Sequence, residues 1–331
     1  MSEKIKILTV TGPTATGKTS LAVRLSSEFG GEIISADSRQ VYRGLDIGSG
    51  KDLSEYGNIP CHLIDIVDPV TNEYNLKEFS IDAVKALKDV SSRGALPIIC
   101  GGSALYVNAV LNGYVLPGGP PDSEQRDFLK AMSVEELNEM LKALSPSTYE
   151  CLHDKENPNR LIRAIEKVQG LSSSAKPGEH VEISPLVIAP YYTRKDVHER
   201  IKLRLEKRFD DGMIEEVKSL HERGLSWEKL EYFGLEYRYI AFYLQGKTAS
   251  FSELKEKLLV KIRNFAKSQD VWFRKMEREG LDIYWIKEGN FDEARKLAAM
   301  FLADEKLPPP IIRLKDIIYG PRQSTHPEPQ L

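Results

Sequence analysis

The stretch TVTGPTATGKTSLA, residues 9–22, contains Gly12, four further residues, and then Gly17, Lys18 and Thr19. The apolar run IKILTV before Gly12 has the composition of a strand, and KTSLAVRLSSEF after Gly17 has the apolar spacing of a helix. A strand that leads through a glycine-rich loop into a helix surrounds an anion with backbone N–H groups and the positive end of the helix. The stretch therefore predicts a phosphate-binding loop, or P-loop, at residues 12–19.

Two side chains of the loop have a direct role in this prediction. Lys18 supplies a positive charge to the phosphates, and the Thr19 hydroxyl is suited to ligate Mg²⁺, which we predict as the cofactor. The loop alone leaves open whether a phosphoryl group is transferred or pyrophosphate is only a leaving group. The predicted diphosphate-binding residues are Gly12, Pro13, Thr14, Ala15, Thr16, Gly17, Lys18 and Thr19.

Composition limits the class of protein. With 331 residues, of which 41% are hydrophobic, the chain is long enough for about two domains. Its three cysteines have no C-x-x-C spacing, which argues against a disulfide framework and against a zinc site. The first residues lack the apolar region of a signal peptide, and no stretch has the length that a membrane span needs. We therefore expect a cytoplasmic protein without membrane contact.

Basic residues are concentrated locally although the formal net charge is −3. Residues 194–208 hold seven Lys and Arg against three acidic residues, and residues 255–278 hold eight against three. Both segments have helical periodicity, and the first predicts a helix from about Arg194 to Arg223. A single charged run is most often a solvated helix face, but two runs beside a phosphate-binding core favour a polyanionic partner.

Strands and helices alternate in the first part of the chain, and helices dominate after the break YVLPGGPPDSEQ at residues 114–125. Such alternation predicts an α/β fold, a P-loop NTPase-like parallel sheet flanked by helices, with ligands at the carboxyl ends of the strands. We predict a catalytic core at residues 1–118 and 183–303. A helical insertion domain at 119–182 and a proline-rich tail at 304–331 complete the predicted organisation.

Asp37 follows the second predicted strand, in the segment SADSRQVYRGLDIGSGK at residues 35–51. The carboxyl end of that strand faces the bound phosphates in the predicted sheet. A carboxylate at this place can hold Mg²⁺ or accept a proton from an attacking nucleophile. The position alone does not decide between the two roles.

Seven segments occur in a fixed order: GPTATGKT, DSRQVYRGLDIGSGK, HLIDIVDP, GGSALYVNAVLNG, NRLIRAIE, GLEYR and FAKSQDVWF. Together they closely resemble the tRNA dimethylallyltransferases, also called tRNA isopentenyltransferases, over residues 5–290. The resemblance implies transfer of a dimethylallyl group from dimethylallyl diphosphate to N6 of the adenine on the 3′ side of the anticodon, with release of pyrophosphate. It implies as substrates the anticodon stem-loops of tRNAs that read codons beginning with U.

The resemblance also assigns roles to residues. Asp37 matches the general base, and Arg263 matches an arginine that acts with Lys18, Thr19 and Mg²⁺ on the leaving pyrophosphate. The insertion would contact the anticodon stem, and we expect a monomer. The positions implied to face tRNA are Asp37, Ser38, Arg39, Gln40, Ser103, Arg126, Asn159, Arg160, Leu161, Ile162, Arg163, Phe233, Gly234, Leu235, Glu236, Tyr237 and Arg238.

The chain departs from the family pattern in its late basic helix. Ser268 replaces the usual arginine after Lys267, and Asp270 adds a negative charge. We predict that Arg263 and Lys267 share one helix face whereas Ser268 and Asp270 point elsewhere. Ser103, in place of the usual threonine, keeps the hydroxyl. The alternatives are a catalytically impaired tRNA-binding paralog, an adenylate prenyltransferase and a P-loop small-molecule kinase.

Overall fold

The computed structural model describes residues 4–111, 123–152, 155–169 and 181–317. The chain forms two compact units, one from Met1–Tyr114 with Val181–Leu331 and one from Val115–His180. The predicted insertion at 119–182 overlaps the second unit over most of its length. The Pro- and Gly-rich break at 112–122 and the tail beyond residue 317 lie outside the described residues.

In the described part of the first unit, six parallel strands form one sheet in the order β3-β2-β4-β1-β5-β6. The predicted parallel sheet flanked by helices is confirmed. The strand IKILTVT is apolar on both faces, and Ile7, Leu8 and Val10 are fully buried because helices cover the sheet. The strands are β1 (Ile5–Thr11), β2 (Gly31–Ser35), β3 (Cys61–His62), β4 (Leu96–Gly101), β5 (Ile183–Tyr191) and β6 (Ile283–Lys287).

Helices connect the strands along the chain. None of the described helices is both long enough and apolar enough to cross a bilayer. Two short 3₁₀ turns occur at Leu53–Tyr56 and Leu314–Asp316. The helices are α1 (Lys18–Phe29), α2 (Leu76–Ser92), α3 (Ala104–Leu111), α4 (Ser123–Lys130), α5 (Val134–Leu144), α6 (Pro146–Cys151), α7 (Pro158–Val168), α8 (Arg194–Asp210), α9 (Met213–Glu222), α10 (Trp227–Phe233), α11 (Leu235–Leu244), α12 (Phe251–Arg278) and α13 (Phe291–Leu302).

The basic segment after β5 forms two helices, so the prediction of one helix from Arg194 to Arg223 is wrong. Helix α8 ends at Asp210, and α9 begins at Met213. Gly212 between them has a φ of 94°, a left-handed conformation that glycine adopts without steric cost. The helix is therefore interrupted at this glycine, and α8 and α9 each place a side chain, Arg208 and Glu216, against the segment at residues 46–48.

The second unit is a small helical body built from α4 to α7. Helix α5 begins with a capping box, in which the Ser133 and Glu136 side chains accept each other's backbone N–H groups. Apolar residues from α4, α5 and α7 form its core. The fully or almost fully buried residues are Leu129, Leu137, Leu141, Leu161, Ile162 and Ile165.

The end of the sheet beside the P-loop is closely packed. A Cβ atom on Gly101 would lie 2.2 Å from the carbonyl oxygen of Ala36, which shows why β4 ends in glycine. The Ala36 N–H donates to the carbonyl of Cys100 at 2.8 Å, and the Thr11 hydroxyl donates to that of Gly101 at 2.9 Å. Strands β1, β2 and β4 therefore end at one place and deliver their loops to a common site.

Candidate functional site

The backbone of the P-loop has positive φ angles at three positions. Gly12, Ala15 and Gly17 have φ values of 137°, 63° and 79°. The Lys18 ammonium folds back over the loop and donates to the carbonyl of Pro13 at 2.8 Å. Gly17 caps α1 without a side-chain hydrogen bond, so the first N–H groups of the helix remain available to an anion.

A cavity of about 530 Å³ lies at the carboxyl ends of β1, β2 and β4. Its walls come from the P-loop, the segment after β2, the β4–α3 turn, α8, the α10–α11 turn and α12. Fifteen of the predicted site residues line it: Thr14, Ala15, Gly17, Lys18, Thr19, Asp37, Ser38, Arg39, Gln40, Ser103, Phe233, Gly234, Leu235, Glu236 and Tyr237.

Three arginines of α8 line the cavity at one-turn spacing, and the sequence reasoning did not single them out. Arg200 donates through Nε to the carbonyl of Ala15 at 2.7 Å, and Arg204 donates to the Thr14 hydroxyl at 2.5 Å. Arg208 lies further along and pairs with Glu236 at 3.1 Å. Their i, i+4, i+8 spacing in the basic run was the available signal, because such residues share one helix face.

Positive charge on partly buried side chains characterises the P-loop side of the cavity. Burial, and secondarily the charge of Arg204, lowers the pKa of Lys18 to about 8, although Cys100 and Asp37 oppose the shift. Burial and the charge of Arg208 lower the pKa of Arg204 in the same way. Each shift means that the cationic form is held at a cost in free energy. A multivalent anion bound between Lys18 and Arg204 would remove that cost.

Asp37 lies where its carboxylate can act on a molecule in the cavity. Its Oδ1 accepts the N–H of Arg39 at 2.9 Å, a local turn that fixes the side chain. The neighbouring Ser38 N–H donates to the Ser103 hydroxyl at 3.4 Å, which joins this loop to the β4–α3 turn. Asp37 therefore shares the cavity with Lys18 and is held by a single local hydrogen bond that leaves acceptor capacity for a proton.

The far side of the cavity is aromatic. Arg39 donates through Nε to the carbonyl of Phe233 at 2.7 Å, and its guanidinium lies 5.6 Å from the ring of that residue. Tyr42 packs edge-on against the same ring with a centroid distance of 4.9 Å. Guanidinium planes and aromatic rings of this kind stack on unpaired bases. Arg238 does not line the cavity and donates to the carbonyl of Glu231 at 2.8 Å.

Gln269 of α12 joins two loops of the site and was not among the predicted residues. It is 5% exposed, and its Oε1 accepts the N–H of Thr14 at 2.8 Å. Its Nε2 donates to the carbonyl of Gly102 at 2.7 Å. One amide thus fixes the P-loop relative to the β4–α3 turn, a role that needs a donor and an acceptor on one side chain.

Arg263 does not line the cavity. Arg263 and Lys267 lie close enough to His198 of α8 to affect its titration. Burial lowers the pKa of this histidine, and the charges of Arg263, Arg194 and Lys267 lower it further. The shared face of Arg263 and Lys267 is therefore as predicted, whereas the catalytic role of Arg263 stays a prediction.

The prediction that Asp270 points away from this face is wrong. Asp270 lies seven residues after Arg263, which is about two helical turns, so the two share a stripe of α12. Burial raises the pKa of Asp270 to about 6, and the charges of Arg274 and Arg194 oppose that shift. Ser268 is exposed, and its hydroxyl donates to the carbonyl of Phe265 at 2.7 Å.

In the second unit, the predicted tRNA-facing residues divide into two groups. Leu161 and Ile162 are 0% and 2% exposed and pack in its core. Arg126 and Arg163 lie 3.6 Å and 2.9 Å from the buried Glu166, an arrangement that holds α4 to α7. Any surface that α7 offers to a partner is consequently built from its polar residues, among them Asn159 and Arg160.

The candidate ligands for Mg²⁺ lie in the cavity beside the P-loop. Within that part, no group of three or more His, Cys, Asp or Glu residues is placed to hold a metal ion. Thr19 and Asp37 both line the cavity beside the P-loop. This donor set fits Mg²⁺, which keeps several waters and takes one or two protein ligands together with substrate phosphate oxygens.

The chain matches two protein-family models and is similar to known enzymes over most of its length. Residues 40–276 match the model of the family described as IPP transferase, and residues 5–58 match that of isopentenyl transferase. A tRNA dimethylallyltransferase 1 of Syntrophus aciditrophicus is 46% identical over 88% of this chain and 96% of the relative. A tRNA dimethylallyltransferase 2 of Treponema denticola is 46% identical over 86% of this chain and 97% of the relative.

Two solved structures resemble the fold. A tRNA isopentenylpyrophosphate transferase from Bacillus halodurans is 31% identical, covers 91% of this chain and 96% of its own, and superposes with a TM-score of 0.66. A eukaryotic dimethylallyltransferase acting on tRNA is 22% identical and covers 92% of this chain and 81% of its own, with a TM-score of 0.75. The second likeness bears on the fold alone.

The lowered pKa of Lys18 makes anion binding pH-dependent. Above about pH 8 the free protein loses the ammonium charge, and a bound anion favours the charged form, so the affinity for inorganic pyrophosphate should fall as pH rises. We expect a loss of about tenfold between about pH 7 and about pH 9, measured by calorimetry. Lys18→Met should bind weakly without this dependence, and Lys207→Met, which changes an exposed lysine of α8, should behave as the parent. An equal slope in Lys18→Met would contradict the assignment.

Proposed function

Since this chain belongs to the IPP transferase family, we propose that it transfers a dimethylallyl group from dimethylallyl diphosphate to N6 of the adenine 3′ to the anticodon in tRNAs that read codons beginning with U. The observation that carries the proposal is one cavity with a P-loop and partly buried cations on one side and Asp37 with an aromatic wall beside it. Such a cavity accommodates an anionic donor and a nucleobase acceptor together.

The reaction joins these two sides. The adenine N6 attacks C1 of the dimethylallyl group, the N–C bond forms, and the C–O bond to the diphosphate breaks with its electron pair leaving on pyrophosphate. The proton of N6 passes to the Asp37 carboxylate, which acts as general base because an exocyclic amine is a weak nucleophile. An adenine stacked in an RNA loop cannot enter the cavity, so the base is flipped out before transfer.

The leaving charge falls on the P-loop side. Lys18 and Arg204 already lie there, partly buried and hydrogen-bonded to the P-loop, so they stabilise charge without reorganisation as it develops. Arg204 takes the role that the family resemblance gave to Arg263, because Arg204 bonds to the P-loop and Arg263 lies outside the cavity. Arg263 and Lys267 then serve the surface that meets the tRNA backbone.

The tRNA anticodon stem-loop is the macromolecular partner, and the protein acts on it as a monomer in the cytoplasm, where tRNA is found.

Two alternative functions differ from this one in their products and substrates. A small-molecule kinase would release ADP, whereas a prenyltransferase releases pyrophosphate. An adenylate prenyltransferase would modify the free nucleotide in the absence of tRNA.

The Thr19 hydroxyl would hold Mg²⁺, which when bound would supply positive charge to the diphosphate oxygens. A chelator should therefore weaken the binding of pyrophosphate by about tenfold in the parent protein. Thr19→Val should bind pyrophosphate more weakly from the start and show a smaller response to the chelator, and Thr14→Val should respond as the parent. Calorimetry in the presence and absence of chelator tests this, and identical chelator responses in all three proteins would exclude Thr19 as a ligand.

Replacement of Asp37 tests the function itself. With labelled dimethylallyl diphosphate and an unmodified tRNA, the parent should prenylate the RNA, and Asp37→Asn should lower single-turnover transfer by about two to four orders of magnitude. Binding of the RNA should change little, because the amide keeps the shape of the side chain. Asp52→Asn, at another carboxylate of the cavity wall, is the matched control. Near-parental transfer by Asp37→Asn would remove it from the mechanism, and an inactive parent would favour the impaired paralog.

Replacing each of the two arginines that could stabilise the leaving group should have a different effect. Arg204→Gln should lower transfer by about a hundredfold, the scale of one electrostatic group at a developing charge. Arg263→Gln should leave the single-turnover rate at saturating tRNA nearly unchanged and raise the KM for tRNA in a salt-dependent manner. Lys207→Gln serves as the control for loss of a charge on α8. A hundredfold slower transfer step in Arg263→Gln would restore the assignment made from the family resemblance.

A further inference from the structure

Glu216 on α9 binds one segment of backbone with its whole carboxylate. The segment is residues 46–50, with the sequence DIGSG, which we name the acceptor loop. Three successive N–H groups, those of Asp46, Ile47 and Gly48, donate to the Glu216 oxygens at 3.0, 2.6 and 3.0 Å. Successive N–H groups that converge on one anion form a concave nest, and charge-assisted bonds of this kind are stronger than neutral ones.

Two further side chains, Tyr237 and Arg208, also bind the acceptor loop. The Tyr237 hydroxyl donates to Glu216 Oε1 at 2.9 Å and accepts the N–H of Ser49 at 3.1 Å. Arg208 donates to the carbonyl of Gly48 at 3.3 Å. The backbone approaches these side chains closely, since a Cβ on Gly48 would lie 2.7 Å from the Tyr237 ring. The loop is therefore pressed against α9 and α11 along its length.

The acceptor loop connects to the cavity wall that faces the nucleobase. Gly48, Ser49 and Gly50 line the cavity. The carbonyl of Gly50 accepts from Gln40 Nε2 at 3.1 Å, so the loop also fixes the amide of a second lining residue. The donor side is held by other bonds, from Arg200, Arg204 and Gln269 to the P-loop. Helix α8 contacts both sides, through Arg200 and Arg204 and through Arg208, whereas the Glu216 bonds described above go to the acceptor loop and to Tyr237.

We propose that Glu216 is a positioning residue for the RNA substrate, which sets the place of the acceptor loop and of Gln40 without affecting the site of the diphosphate. The inference rests on the proposed function, in which this wall receives the flipped nucleotide. Glu216 does not line the cavity, so it acts through the loop and touches neither substrate.

The substitution Glu216→Gln separates this role from general packing. Glutamine keeps the size of the side chain, but its amide group turns two donors toward a nest of N–H donors, which repels the loop. Glu215→Gln is the matched control, because Glu215 is the exposed neighbour on the same helix and makes no contact with the loop. Glu216→Asp keeps the charge on a shorter side chain.

The experiment measures two affinities and two kinetic constants for each protein. Anisotropy gives the Kd for a labelled anticodon stem-loop, calorimetry gives the Kd for inorganic pyrophosphate, and prenyl transfer gives kcat and the KM for tRNA. We expect Glu216→Gln to raise the Kd and KM for RNA by about tenfold and to leave the pyrophosphate Kd within about twofold of the parent. Glu216→Asp should recover part of the loss, and Glu215→Gln should match the parent.

Each outcome decides the question. Equal losses for RNA and pyrophosphate in Glu216→Gln would indicate a general structural role, and parental values for both would show that the loop needs no carboxylate; either result overturns the inference. A parent that binds the stem-loop but transfers no prenyl group would refute the proposed function instead. The binding arm then still tests Glu216, because it does not depend on turnover.

Discussion

Positive charge held beside the P-loop is the constraint on which the site depends. Lys18 and Arg204 are partly buried, and desolvation lowers the pKa of each; Arg204 lowers the pKa of Lys18 further, and Arg208 lowers that of Arg204. The fold tolerates this because Arg200, Arg204 and Gln269 bond to backbone or hydroxyl groups of the loop. A multivalent anion bound here, such as the proposed diphosphate, would recover the free energy that holding these cations together costs.

The sequence predicted those parts of the fold that local patterns determine. Glycine spacing located the P-loop, and the apolar run before it located β1. The break at Gly212 was missed because apolar residues recur every four positions on both sides of it, at Ile201, Leu205, Met213 and Val217, as in one continuous helix. Strand β6 was not predicted, since five residues after a long helix give a weak signal and its identity as a strand depends on pairing with β5.

The site was predictable to the extent that its residues lie in motifs. Asp37 and the P-loop residues were found because they follow strands whose ends meet. Arg204 and Gln269 were missed because their partners lie 190 and 255 residues away in sequence, and only the packing of α8 and α12 brings them to the loop. Asp270 was misplaced because adjacent positions were judged one by one, although a spacing of seven returns to the same helix face.

The order of the strands has a consequence for how the chain folds. Strand β1 lies between β4 and β5, and the second unit separates those two strands in sequence. During synthesis from the N-terminus, one edge of this apolar strand therefore stays unpaired until residue 191 has emerged. An exposed apolar edge is a template for wrong pairing, and contacts across such a distance slow folding. The helical unit can form its own core in the meantime. This shortens the unfolded chain between β4 and β5 and lowers the entropy cost of bringing β5 to β1.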